Sequence, residues 1–239
     1  MSVAAAVRKV RFMNLGLTEY RQAWDYQNRL MEEILAIKTA NRQVAANKQH
    51  PTPNYLIFCE HPHVYTLGRN GKMDNLLAGE AELQRINASF VHTSRGGDIT
   101  YHGPGQLVGY PIFDLENFFT DIHRYMRSLE EAVIRTLKTF GIEAGRAAGL
   151  TGVWIEPHHP QRARKICAMG VKTSRWVTQH GFALNVNTDL SYFNYIIPCG
   201  ISNKAVTSMQ QELGRVVAMN EVAEELKKRM AEVFELEWI

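Results

Sequence analysis

Apolar residues recur at helical spacing in three stretches of the chain. Tyr20, Ala23, Trp24, Leu30, Met31, Ile34 and Leu35 define the first, with Thr18 as its expected N-cap and the polar run Asn41 to His50 as its end. Ile122, Tyr125, Met126, Leu129, Val133 and Leu137 define the second, between a capping Asp121 and a terminating Gly141. Val222, Leu226 and Val233 define the third, with Asn220 as its cap. Between them lie short β-rich runs punctuated by Gly, Pro and Asn: Tyr55–Cys59, Val64–Leu67, Phe90–Thr93, Leu107–Phe113, Gly152–Glu156, Lys165–Thr173 and Gly181–Val186. Helices and strands are interspersed without a βαβ rhythm, so the pattern predicts an α+β fold, a mixed β-sheet with flanking helices. Residues 1–9 and parts of Asn41 to His50 are the expected mobile segments.

Composition narrows the class. At 239 residues and 45% hydrophobic, with no compositional boundary, the chain is expected to form one domain over 1–239. A net charge of +3, from 27 basic and 24 acidic residues, is too even for a nucleic-acid footprint. No apolar run approaches the roughly 20 residues of a membrane span. The alanines near the start lack the apolar core of a signal peptide, so a cytoplasmic protein without a membrane partner is expected. Three cysteines suit a reducing compartment. Cys59, in an apolar run, and Cys167, in a strand, read as core. The pairs His61/His63 and His158/His159 have no companion ligands at structural-zinc spacing, so no metal is expected, and His158/His159 between prolines reads as an exposed loop.

Three segments carry candidate chemistry. In Ile197-Pro198-Cys199-Gly200-Ile201 a cysteine stands between proline and glycine, at a turn that would expose it. In Arg164-Lys165-Ile166-Cys167-Ala168-Met169-Gly170 a lysine offers an ammonium that, brought beside Cys199, would favour its thiolate. The block Arg95-Gly96-Gly97-Asp98-Ile99-Thr100-Tyr101-His102-Gly103-Pro104-Gly105-Gln106 places polar groups among glycines that let backbone approach a ligand. Taken singly, each has a plainer reading: a buried small residue, a solvated charge, a set of turns. The glycine block lacks the Gly-x-x-x-x-Gly-Lys-Ser/Thr pattern of a phosphate loop.

Together, and with Gly109-Tyr110-Pro111 and His180-Gly181-Phe182-Ala183-Leu184-Asn185 in the same order, these segments resemble the octanoyl-[acyl-carrier-protein]:protein octanoyltransferases, or lipoyl(octanoyl) transferases, from about Asn54 to Ser208. The resemblance implies the catalytic fold shared by biotin and lipoate protein ligases. It also implies a reaction in which an octanoyl group passes from octanoyl-acyl carrier protein to a lysine of a lipoyl domain, in 2-oxoacid dehydrogenase complexes or the glycine cleavage H protein. The thioester donor is already activated, so neither ATP nor a cofactor is expected.

Carried onto this sequence, the resemblance makes Cys199 the nucleophile and Lys165 its partner. Lys165 would first favour the thiolate and later accept a proton from the incoming amine. Substrate binding falls to Arg95, Gly96, Gly97, Asp98, Ile99, Thr100, Tyr101 and His102, to Ala168, Met169 and Gly170, and to Gly181, Phe182 and Ala183. Small residues beside Met169 and Phe182 would leave a slot for an alkyl chain and offer backbone amides to the carbonyl. His61 and His180 line the same site or make structural hydrogen bonds. The basic residues Arg162, Arg164, Lys165, Lys172 and Arg175 either meet an acidic carrier or form a solvated strand face. The competing readings are an ATP-dependent lipoate or biotin protein ligase, which needs no cysteine nucleophile, and a non-catalytic binding protein, which needs neither Lys165 nor Cys199.

Overall fold

The computed structural model describes residues 8–159, 161–197 and 205–239. Among these residues eleven strands and five α-helices follow in the order β1 (Arg8–Leu17), α1 (Tyr20–Asn41), β2 (Tyr55–Glu60), β3 (Val64–Leu67), α2 (Glu80–Arg85), β4 (Ser89–His92), β5 (Ile99–His102), β6 (Gln106–Ile112), α3 (Ile122–Thr139), β7 (Val153–Ile155), β8 (Arg164–Ser174), β9 (Val177–Asn185), β10 (Ala205–Val206), α4 (Met209–Leu213), α5 (Met219–Phe234) and β11 (Leu236–Trp238). The larger sheet runs β10-β8-β9-β6-β2-β1-β11 with β7 on the other edge of β8, and a smaller one runs β4-β3-β5. Parallel pairs (β1 with β2 and β11, β8 with β10) and antiparallel pairs coexist in the larger sheet, the mixed α+β architecture that the pattern predicts.

Each face of the large sheet buries a different helix set. Phe58, Leu107, Phe182 and Leu184 point toward α3 and α5, meeting Leu129, Val133, Leu226 and Phe234. Ile57, Val108, Tyr110 and Ala183 point the other way, toward Ala23, Leu30, Met31 and Ile34 of α1. The alternation follows from the period-2 pleat of a strand covered on both sides.

Some local expectations are corrected. Thr18 does not cap α1: its hydroxyl donates back to the Leu15 carbonyl, and Glu19 occupies the N-cap position without a side-chain bond. Asn220 lies in the first turn of α5, behind Ala218. Asp121 does cap α3, accepting from the Arg124 amide at 2.9 Å, and Gly141 follows the helix at φ +80°. Arg8 and Lys9, expected to be mobile, pair with β11, while the earlier residues lie outside those described. The polar run after α1 is tied down by Asn41, whose side chain donates to the His50 carbonyl and accepts from the His50 amide. Ile99–His102, read within a glycine-rich block, forms a strand because β-branched and aromatic residues pair antiparallel with β3. Cys59 and Cys167 are both core, and His158 and His159 are exposed.

Candidate active site

A pocket of about 800 Å³, its open mouth included, lies on the α1 side of the large sheet. Its floor follows from strand register. Ala183 of β9 pairs with Ala168 of β8 and with Val108 of β6, while Gly181 pairs with Gly170. Residues paired in this way share a face, so two alanine methyls and two glycines line a trough across β8 and β9. Phe182 and Met169, one step along, turn the other way: Phe182 is buried in the core beside Phe58, its ring against Gly109, and Met169 packs on that core. The slot is therefore made by Ala168, Gly170, Gly181 and Ala183.

The cover comes from the glycine-rich block. Arg95, Gly97, Asp98, Ile99, Thr100 and His102 line the pocket together with Lys165, Ala168, Met169, Gly170, Gly181, Phe182 and Ala183. Gly96 and Tyr101 are not among the lining residues. The Gly96 amide donates to the Val171 carbonyl at 2.9 Å. Tyr101 alternates to the far side of β5, stacks on Tyr192 and shares a 2.7 Å hydrogen bond with His63.

The block is held by groups the sequence did not single out. Arg95, 8% exposed, donates to the Thr66 carbonyl and hydroxyl at 2.6 and 2.9 Å and to the Gly96 carbonyl at 3.0 Å. The Gly68 amide donates to the Asp98 carbonyl and the Asn70 amide to the Gly97 carbonyl. Asp98 accepts from the Ile99 amide and from Asn75 Nδ2, and the Asn75 carbonyl accepts from the Ile197 amide, two residues before Cys199.

Tyr20, Gln106, Val108, Tyr110, His180, Asn185, Phe193 and Val206 complete the lining. Gln106, Val108 and Tyr110 stand at every second position of β6, and that alternation is the signal that could have found them. Tyr20 comes from α1 and is invisible to any local pattern.

Three histidines surround the inner wall, and burial keeps all three neutral. His61 does not line the pocket; it donates from Nδ1 to the Thr18 carbonyl at 2.6 Å and accepts from the Tyr110 hydroxyl at 2.7 Å, with its pKa lowered to about 4 by burial. His102 donates from Nδ1 to Gln106 Oε1 at 2.7 Å, since the Gln106 amide nitrogen already donates to Asn185 and to the Tyr101 carbonyl. Burial first, and then the neighbouring Arg95 charge, hold its pKa well below the usual imidazole value. His180 lines the pocket at φ +60°, an unusual value for a residue with a Cβ. Its amide donates to Gln27 Oε1 at 3.0 Å, and burial followed by the Arg95 charge lowers its pKa to about 3. Tyr20 is raised to about 12, chiefly by burial.

Lys165 stands at the edge of the pocket, between Trp154 of β7 and Val206 of β10 in strand register. Cys199 lies outside the described residues. On its N-terminal side the described chain passes Phe193, a lining residue, and ends at Ile197, and on its C-terminal side it resumes in β10 beside Lys165, where the Thr207 amide donates to the Lys165 carbonyl at 2.9 Å. Of the basic residues near Lys165, Arg162 and Arg164 pair with Glu156, and Arg164 also with Glu212. Arg175 donates to Thr39. Among the described residues no group of three or more His, Cys, Asp or Glu side chains could hold a metal ion, and no helix is long and apolar enough to cross a membrane.

The mixed sheet with its flanking helices is the catalytic fold of the lipoate protein ligases. The bi-partite lipoate protein ligase of Thermoplasma acidophilum superimposes with a TM-score of 0.69 at 18% identity, over 97% of this chain and 86% of that one. Residues 19–231 match the family described as the lipoyl protein ligase A/B catalytic domain, and the chain belongs to that family. An octanoyltransferase of Cytophaga hutchinsonii is 59% identical over 96% of this chain and 94% of its own length. One of Christiangramia forsetii is 56% identical over 96% and 97%. The chain is accordingly an enzyme, an acyltransferase of the octanoyltransferase type.

Proposed function

We propose that the chain, as a single cytoplasmic catalytic domain over 1–239, transfers an octanoyl group from octanoyl-acyl carrier protein to a lysine of lipoyl domains in protein lipoylation. The acceptors are the lipoyl domains of 2-oxoacid dehydrogenase complexes and the glycine cleavage H protein. The observation that carries the reading is the small-residue trough of Ala168, Gly170, Gly181 and Ala183, with Lys165 at its edge beside the strand that follows Cys199. The pocket suits an unbranched alkyl chain, because Ile99, Val108, Ala168, Ala183 and Val206 give it an apolar lining.

In the first step the Cys199 thiolate attacks the thioester carbonyl, a new carbon–sulfur bond forms, and the carrier's phosphopantetheine leaves as a thiolate. The Lys165 ammonium stabilises the attacking thiolate and can protonate the leaving one. In the second step the acceptor lysine amine attacks the acyl-enzyme, the carbon–nitrogen bond forms and the bond to Cys199 breaks. The proton lost by the amine passes to the Lys165 amine, restoring the ammonium. One thioester replaces another and an amide replaces the second, so the sequence runs downhill without ATP. Arg95, Gly96, Gly97, Asp98, Ile99, Thr100, Tyr101 and His102 serve as the substrate-binding block, with Gly96 and Tyr101 acting from behind its inner surface.

Intact-protein mass spectrometry tests the order of events. Mixing the chain with octanoyl-acyl carrier protein in the absence of ATP should give one octanoyl adduct on Cys199, discharged when an apo lipoyl domain is added. Cys199→Ala should form no adduct, and Lys165→Ala should form it more slowly, by at least about tenfold. Product formed only with ATP and magnesium, or full transfer by Cys199→Ala, would overturn the covalent route.

A further inference from the structure

Trp154 faces Lys165 across the β7–β8 ladder, and the lysine Nζ lies 4.7 Å from the centre of its indole. The ring is held on several sides. It is 3% exposed and packs against Ala147 and Ala163. Its backbone exchanges two hydrogen bonds with Gly145, at 2.8 and 2.9 Å. Two residues earlier the Gly152 amide donates at 3.0 Å to Glu130, a fully buried carboxylate also bound by Arg127 and Arg146. Gly152 itself sits at φ +106°, and a Cβ there would come within 2.5 Å of the Cys167 carbonyl oxygen and 3.7 Å of Lys165 Cδ. A glycine at this point is required by the positive φ and by the close approach to the Cys167 carbonyl, which lets β7 pack tightly on β8.

We propose that Trp154 is a positioning residue for acyl transfer: its indole face seats the Lys165 ammonium and holds it at the pocket edge. A cation over an aromatic face is attracted by the ring's quadrupole, most strongly for tryptophan and where water is excluded. A lysine side chain left to itself distributes over many rotamers, and a fixed seat on one wall removes most of that freedom. The buried anchors behind the ring are what make the seat rigid. This inference rests on the role given above to Lys165.

The test compares the wild type with Trp154→Phe, which keeps a ring face, Trp154→Leu, which keeps apolar bulk without one, and Lys165→Ala. In protein labelled with 13C-lysine, the ε-methylene protons of Lys165 should show an upfield ring-current shift in the wild type and in Trp154→Phe, and lose it in Trp154→Leu. Single-turnover formation of the Cys199 adduct should slow about fivefold in Trp154→Leu, with half-saturation by octanoyl-acyl carrier protein unchanged, and stay within about twofold in Trp154→Phe. Absence of the upfield shift in the wild type overturns the seat without recourse to any variant. So does a normal acylation rate in Trp154→Leu when Lys165→Ala is slow, and in that case the lysine's own role stands. Normal acylation by Lys165→Ala removes the lysine's role, and the positioning role of Trp154 falls with it.

Discussion

Gly68→Ala isolates the contact that sets the cover of the pocket. Gly68 follows β3 in ordinary backbone conformation, so alanine is allowed there and the effect is purely steric. A Cβ at this position would stand 2.9 Å from both the Gly97 carbonyl carbon and Arg95 Nη1, and nearer still to the Gly97 oxygen. These are backbone and anchored groups rather than the free end of a flexible side chain: Gly97 is held at φ +88° and its oxygen already accepts from the Asn70 amide. The glycine-rich block must therefore move outward by roughly an ångström to regain van der Waals distance. Such overpacking costs about 1–3 kcal/mol of stability, which a chain of this size survives. A displacement of that size at the substrate wall should lower octanoyl transfer by on the order of a hundredfold. Urea unfolding and the transfer rate to an apo lipoyl domain would be measured on the same preparations. Gly79→Ala serves as the control, since a Cβ there meets nothing within 4 Å. Transfer by Gly68→Ala within about threefold of the control would refute the idea that this close approach sets the site geometry.

Lys38→Met removes a buried cation that lies 2.5 Å from Asp114 and 2.8 Å from the half-exposed Glu116, and among the described residues leaves the Asp114 carboxylate with Thr52 and backbone partners. It should cost about 3–5 kcal/mol in urea unfolding, most of it regained by adding Asp114→Asn, whereas a loss below about 1 kcal/mol would contradict burial of the pair. His61 and His180 have pKa values lowered to about 4 and 3 by burial, so between these values and about 6.5 the unfolded chain binds protons that the folded chain does not. Their burial is without penalty above about pH 6.5, and at pH 5 each should cost about 2 kcal/mol of stability, with His102 adding in the same direction. Equal unfolding free energies at pH 7 and pH 5 would exclude three neutral buried histidines.

Much of the architecture is legible from local pattern. The apolar stripe of α3 lies between Asp121, whose carboxylate meets a free amide, and Gly141, which can take a left-handed conformation; both are properties of those residues alone. Runs such as Tyr55–Cys59 are strands because β-branched and aromatic residues fit a pleat buried on both sides. Thr18 has a capping side chain but spends its hydroxyl on the Leu15 carbonyl, a choice that local pattern does not disclose. β1 carries no two-residue alternation of buried positions, because Val10 is its one fully buried residue; pairing with β2 and β11, contributed from distant parts of the chain, makes it a strand.

The residue types capable of the chemistry were likewise present as motifs, since a cysteine in a proline–glycine turn, a lysine and a glycine-rich block are recognisable one segment at a time. Which way each points was a tertiary matter. Strand register sends Ala168, Gly170, Gly181 and Ala183 to one face and Met169 and Phe182 to the other, and a shift of one residue would have exchanged them. The pleat of β5 turns Tyr101 away from the pocket that His102 enters, and α1 delivers Tyr20 from more than seventy residues upstream in the chain. Trp154 faces Lys165 only because β7 and β8 pair, and Gly68 braces Gly97 only because β3 ends where the glycine-rich block begins to fold over the sheet. Local sequence determines conformational preference and chemical capacity; distances between such groups depend on contacts between distant segments, which only the folded chain brings together.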